Sequence, residues 1–134
     1  QVIDSSFIDE FLLRLIEDSR GQEPVFFVKL ANITPIIETN IDSVFGSYQT
    51  YNGRRIAVIT ESLTGMNAYH IGGITKPERD ILDYLRINKV APVGDIASFI
   101  AKEHAEAAEL LEGLYSMRMV RRAPSGGNDR YQSV

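Results

Sequence analysis

Six basic side chains in the C-terminal half are the residues whose type and placement could do chemistry. Arg121 and Arg122 follow the run Met117-Arg118-Met119-Val120, and Arg130 opens the last five residues. Lys89, Lys102 and His104 stand at the ends of apolar-patterned stretches. The chemistry on offer is ionic contact with phosphate: guanidinium and ammonium groups neutralise backbone oxygens, and arginines on a strand pair can enter a minor groove. The plainer alternative is pairing with nearby carboxylates. Glu103, Glu106, Glu109 and Glu112 recur every three residues and fall on the exposed side of a helix. They also oppose insertion of that helix into a groove. Phosphate repels carboxylate, and a carboxylate can only accept, as from cytosine N4. Contact with a duplex would therefore lean on Arg121, Arg122 and Arg130, with Lys102, His104 and Lys89 beside them.

Other chemistries find no residues. His70 and His104 are the only histidines and lie far apart in sequence, with no second ligand at helical spacing, so no metal site is expected. There is no glycine-rich phosphate loop, no G-x-S-x-G elbow and no pair of catalytic carboxylates, so no catalytic residue, no cofactor and no enzyme activity is expected. The absence of cysteine removes disulfides and thiolate zinc sites and fits a cytoplasmic location. No run of 18 apolar residues suggests a membrane span. Net charge is −4, unevenly placed. Residues 1–74 carry five basic groups against nine acids, and residues 75–134 carry nine of each. Neither part has the positive bias of most DNA-binding domains.

The elements that must position these residues can be read from the pattern. Phe7, Ile8, Phe11, Leu12, Leu15 and Ile16 give one apolar helical face, capped by Ser5 or Ser6 and ended at Gly21. Val25 to Leu30 is a short apolar run of the kind covered on both faces of a sheet. Thr34 caps a second helix with Pro35 at its first position. Strand end, helix, strand, helix is the order of a small α/β layer. After an Asn52-Gly53 turn, residues 54–60 and 68–74 read as a hairpin around Thr64-Gly65, with Gly72-Gly73 bulging or ending its second strand. Tyr48, Tyr51, Tyr69 and Phe45 surround the hairpin and are expected to close a seam between two small domains. Thr75-Lys76-Pro77-Glu78 is a capping box. It opens a helix with Ile81, Leu82 and Leu85 on one face. A short second helix carries Ile96, Phe99 and Ile100. A third carries Ala107, Ala108, Leu110, Leu111 and Leu114. A strand over residues 117–122, a turn over residues 125–129 and a return strand from Arg130 complete the order.

Residues 75–134 resemble bacterial and archaeal winged-helix regulators. The likeness rests on Asp95-Ile96-Ala97 in the second helix, the third helix ending Leu110-Leu111-Glu112-Gly113-Leu114-Tyr115-Ser116-Met117, and the glycine-rich turn after Arg121-Arg122. Residues 2–46 look like a STAS-like domain. There the likeness rests on Asp4-Ser5-Ser6 opening a helix with Phe7-Ile8-Asp9-Glu10-Phe11, and on Asn32-Ile33-Thr34-Pro35 before the next helix. That resemblance implies a kinase-like protein partner and makes Ser5 the candidate phosphorylation site, flanked by Asp4 and Asp9. A phosphate there would meet free N–H groups at a helix start and add negative charge to a docking surface.

The resulting expectation is an α/β (α+β) chain in three parts: a partial STAS-like βαβα module over residues 1–48, truncated at its N-terminus, a linking β-hairpin over 49–74, and a winged helix-turn-helix domain over 75–134. The leading function is a DNA-binding transcriptional regulator whose first module receives a signal or a partner. The alternative is a protein-interaction module in a kinase and anti-kinase partner switch, with the winged helix used for protein contact or as a homodimer interface.

Overall fold

The computed structural model describes residues 11–21, 26–31, 33–61, 70–123 and 130–134, and these are mixed α/β, with five helices and two three-stranded sheets. The chain divides into two compact units, Gln1–Gly73 and Ile74–Val134. No helix among the described residues is long and apolar enough to cross a membrane.

In the first unit, helix α1 (Leu13–Ser19) buries Leu13, Ile16 and Ser19, a spacing of three that keeps one face inward. Ser19 satisfies its buried hydroxyl locally by donating to the Ile16 carbonyl at 2.6 Å. Strand β1 (Lys29–Ala31) leads to helix α2 (Pro35–Asn52), where the Thr34 hydroxyl accepts from the Ile37 N–H and Pro35 fills the first turn. Strands β2 (Ala57–Glu61) and β3 (His70–Gly72) complete the sheet, in the order β1-β2-β3. β1 and β2 run parallel, with Leu30 opposite Thr60, so α2 is the crossover helix of a βαβ unit. β3 is antiparallel to β2, with Val58 opposite Ile71. Leu12, Leu13, Ile16, Ile41, Phe45, Ile56, Val58 and Ile71 form the core between α1, α2 and the sheet.

Four expectations change here. Residues 57–61 and 70–72 are the middle and one side of the first unit's own sheet rather than a linker, because β2 hydrogen-bonds to β1 as well as to β3. The strand covered on both faces is β2, whose residues 57–60 are all buried. β1 leaves Lys29 and Ala31, which share one face by alternation, exposed. Asn52 is the last helical residue of α2, and Gly53, at φ 65°, is its left-handed cap rather than part of a free turn. Of the aromatics assigned to a seam, Phe45 is fully buried in the first unit's own core and Tyr48 packs against it. Tyr51 is exposed. Tyr69, the turn at Thr64-Gly65 and the start of the first helix lie outside the described residues.

Arg20, at the end of α1, starts a relay of two hydrogen bonds that runs through Arg55 to Gly73. Its Nη1 donates to the Arg55 carbonyl at 2.8 Å, and Arg55 Nη1 donates in turn to the Gly73 carbonyl at 3.3 Å. Burial, and then Arg54 and Arg55 nearby, hold the Arg20 guanidinium below its ordinary pKa, against the opposing pull of Tyr48 and Glu17.

The second unit opens with helix α3 (Lys76–Asn88), whose capping box is complete. The Thr75 hydroxyl accepts from the Glu78 N–H, and the Glu78 carboxylate accepts from the Thr75 N–H at 2.9 Å. Reciprocal satisfaction of this kind lets Glu78 sit at 2% exposure. Strand β4 (Val90–Pro92), which the sequence pattern concealed, precedes helix α4 (Val93–Ile100) and helix α5 (His104–Ser116). Strands β5 (Val120–Arg122) and β6 (Arg130–Ser133) follow, and all three strands form an antiparallel sheet in the order β4-β6-β5. Ile81, Leu82, Leu85, Ile96, Leu111 and Leu114 make the core, each at 2% exposure or less. The turn expected over residues 125–129 lies outside the described residues.

Candidate nucleic-acid interface

The six basic residues reach the surface from five local structures. Lys89 caps α3 with a positive φ of 71°, and its carbonyl accepts from the Ser133 N–H at 2.9 Å, which holds it at the margin of the sheet. Lys102 lies in the short connection between α4 and α5, and His104 is the first residue of α5. Arg121 and Arg122 are adjacent on β5, and Arg130 starts β6. All six are exposed.

They do not form one surface. Successive side chains on a strand point to opposite faces, and cross-strand partners share a face. Arg122 is opposite Tyr131, and Arg121 is opposite Gln132. Tyr131 is buried against the helices, so Arg122 is on the helix side and Arg121 on the outer side. Arg130, two residues from Gln132, shares the outer face with Arg121, as does Val90, also opposite Gln132.

On the helix side Arg122 already has a partner. Its Nη2 donates to both Glu112 carboxylate oxygens, at 2.8 and 2.6 Å, and the Tyr131 hydroxyl donates to the same carboxylate at 2.5 Å. The Arg122 guanidinium also lies 4.1 Å from the centre of the Tyr115 ring, with Arg118 at 4.8 Å. This clasp joins α5 to β5 and β6. The Arg122 and Tyr131 hydrogen bonds hold the Glu112 carboxyl below its ordinary range, and Glu112 raises Arg122 in return. Burial, and then the hydrogen bond to Glu112, push the Tyr131 hydroxyl up to about 12. Lys102 is also engaged, with Nζ 3.4 Å from Glu106, an exposed pair of the kind that adds little stability.

The signs give an expected result. Tyr131 is protonated more tightly in the folded state than the ordinary value of 10. Its stabilising contribution is therefore complete below pH 10 and lost as pH rises towards about 12. Glu112 acts oppositely: its contribution is present above the ordinary carboxylate range and lost as pH falls through its depressed folded value. In a phenolate absorbance titration, Tyr131 should give a late step at about 12. That late step should vanish in Tyr131→Phe and move earlier in Glu112→Ala. A late step that survives Tyr131→Phe would show that the clasp is not its origin.

The acids behave as their spacing demands. Glu103, Glu106, Glu109 and Glu112 are all exposed, with the last three on α5 and Glu103 as its N-cap residue. Tyr131 was missed as a participant. The only signal was its alternation between Arg130 and Gln132, which puts it on the inner face once the strand is known. Ser5 lies outside the described residues.

In the first unit, a cleft of about 450 Å³ is lined by Glu38, Thr39 and Asp42 of α2 and His70 of β3. Among the described residues no three of His, Cys, Asp and Glu gather as metal ligands. Comparison of the chain with protein-family models, with curated proteins and with solved structures returns no match.

Proposed function

We propose that Ile74–Val134 is a winged helix-turn-helix domain that works by docking protein, in a two-unit regulatory protein whose first unit is a STAS-like α/β module. The winged-helix reading is supported by the order α3, β4, α4, α5, β5, β6 and by a sheet in which β6 lies between β4 and β5. The STAS-like reading is supported by the parallel βαβ unit and by Thr34-Pro35 at the start of its crossover helix.

The observation that carries the docking reading is the exposed surface of α5. A groove-reading helix presents donors to base edges and cations to phosphates. Here the corresponding helix presents Glu106, Glu109 and Glu112, with Glu103 before them, and two of the six candidate cations, Arg122 and Lys102, are turned onto that same face. Such a surface suits a basic protein segment. The resemblance of the first unit adds a kinase-like partner meeting Ser5.

The second reading, a DNA-binding regulator, is favoured by one observation: Arg121 and Arg130 are exposed on the outer face of the sheet, and Lys89 is exposed at its margin. Fluorescence anisotropy with a mixed-sequence duplex across a salt series separates the two. The docking reading expects no salt-dependent binding by the wild type at low salt. Binding that falls along a straight log–log line, and is lost in Arg121→Ala/Arg130→Ala, would replace it with the DNA reading.

A further inference from the structure

We propose that Arg20 and Arg54, at the ends of α1 and α2, form a binding site for a dianionic phosphate group. The site belongs to the first unit alone and does not depend on the docking reading of the second.

The central observation is one edge of the Arg20 guanidinium. Such a group carries five N–H donors, and its Nε–Nη2 edge is a fork that can grip one oxyanion with two parallel bonds. Arg20 engages Nη1 with the Arg55 carbonyl at 2.8 Å. Nε and Nη2 are out of contact with water and, among the described residues, have no hydrogen-bond partner. Buried donors left unmade are costly, charged ones above all, and folded proteins keep few of them. Both unmade donors here lie on the edge with which arginine takes carboxylate or phosphate. Arg20 as a whole is half-buried, so this edge lies just below the surface.

A second cation stands beside it. Arg54 follows Gly53, the cap of α2, and its side chain is exposed, with no hydrogen bond or ion pair among the described residues. Burial lowers the Arg20 pKa first of all, Tyr48 opposes it, and Arg54 lowers it further, ahead of the opposing Glu17. Tyr48 opposes only as a phenolate, with an ordinary pKa of about 10. Near neutral pH the strongest charge acting on Arg20 is therefore the like charge of Arg54. Glu17 is exposed and forms no ion pair among the described residues. Arg55 is not counted, since its guanidinium already donates to the Gly73 carbonyl.

The plainer explanation is that arginines favour helix C-termini, and Arg20 caps α1 while Arg54 follows α2. That accounts for positive charge at these places. It does not account for a fork edge turned away from water with nothing to accept from it. An anion between the two side chains satisfies the edge and relieves the repulsion together. One doubly charged phosphate group matches two guanidinium groups, whereas a carboxylate brings a single charge.

The test is titration calorimetry on the full chain, at an ionic strength of about 0.15 M set with chloride. Inorganic phosphate, O-phosphoserine and acetate are the probes. The Arg20 Nε–H signal, identified by its loss in Arg20→Lys, is followed by heteronuclear NMR in the same titrations. At least one of the two phosphates should bind at a single saturable site, and the Nε–H signal should move with the same dissociation constant. The tighter of the two tells whether the source is the free ion or a phosphoryl group on a larger molecule. Acetate should bind at least about ten-fold more weakly. Arg54→Gln should weaken phosphate binding about ten-fold, the worth of a charge-assisted hydrogen bond. Arg20→Lys, which keeps the charge and removes the fork, should weaken it as much. Because Arg54 is exposed, its variant should keep the wild-type circular dichroism, so a loss of binding there is a loss of the site. No saturation by about 10 mM of either phosphate overturns the proposal. So does acetate binding of equal strength, binding indifferent to Arg54→Gln, or an Nε–H signal that bound phosphate leaves in place.

Discussion

Gly72→Ala is expected to remove a large share of the stability of the first unit. Gly72 closes β3 with a φ of 126°, a conformation that residues with a side chain rarely adopt. Space forbids the change as well. A Cβ built on Gly72 would fall inside van der Waals contact with the Ile56 carbonyl oxygen and with Cα and Cβ of Ala57. Those atoms cannot easily retreat. Ile56 and Ala57 are at 0% and 2% exposure, and Ala57 opens the central strand, hydrogen-bonded on both sides. Backbone strain of about 1–3 kcal/mol and overpacking of about 1–3 kcal/mol then act together. Their sum, about 2–6 kcal/mol, is a large share of the 5–15 kcal/mol typical of a whole domain. Gly46→Ala is the control. Gly46 lies within α2 with open space where its Cβ would go, so alanine should stabilise the helix by about 0.5–1 kcal/mol. Urea unfolding with circular dichroism should show the two variants moving in opposite directions. A neutral Gly72→Ala would mean that β3 does not approach residues 56–57 this closely.

What the sequence disclosed and what it concealed divide along the range of the interactions. The caps at Thr34-Pro35 and Thr75-Glu78 were legible because all their partners lie within four residues. The inward faces of α3 and α5 were legible because a 3.6-residue period selects Ile81, Leu82 and Leu85, and Ala107, Leu111 and Leu114. The mixed α/β class followed from the order of such segments. Pairing partners were not legible. Nothing local in residues 57–61 says that they meet Lys29–Ala31 in parallel, so the hairpin passed for a linker. β4 is only three residues long and contains Pro92, a weak strand signal. Several chain reversals in the second unit also lacked their usual cue, because Lys89, Ala101 and Arg118 take positive φ where glycine is the common choice. The basic residues were found by type, but their division between the two faces of the sheet needed the register. The choice of Glu112 by Arg122, rather than by any of its neighbours, needed the packing of α5.

That packing is tested most strongly by Leu111→Ala, which should cost the second unit about 2–5 kcal/mol. Leu111 is at 0% exposure, next to Glu112 in sequence but about 100° round the helix from it, facing the core it shares with Ala107 and Leu114. Two kinds of contact therefore hold the same turn of α5. One is the clasp of Glu112 with Arg122 and Tyr131, and the other is the buried leucine face. Their magnitudes decide between them. Both partners of the ion pair are about half exposed, and exposed pairs contribute only about 0–1 kcal/mol. A buried leucine removed without collapse of its cavity costs several times more. Glu112→Ala should accordingly shift the urea midpoint slightly and leave the fold intact, whereas Leu111→Ala should shift it severely. Leu111→Met, nearly conserving volume, should cost less than about 1.5 kcal/mol. The core also governs the clasp, since Glu112 reaches Tyr131 only while α5 is docked. Leu111→Ala should therefore lower the late tyrosine ionisation towards the ordinary value although no member of the clasp has been changed. If Glu112→Ala proved the costlier substitution, the clasp rather than the leucine face would be what fixes α5 against the sheet.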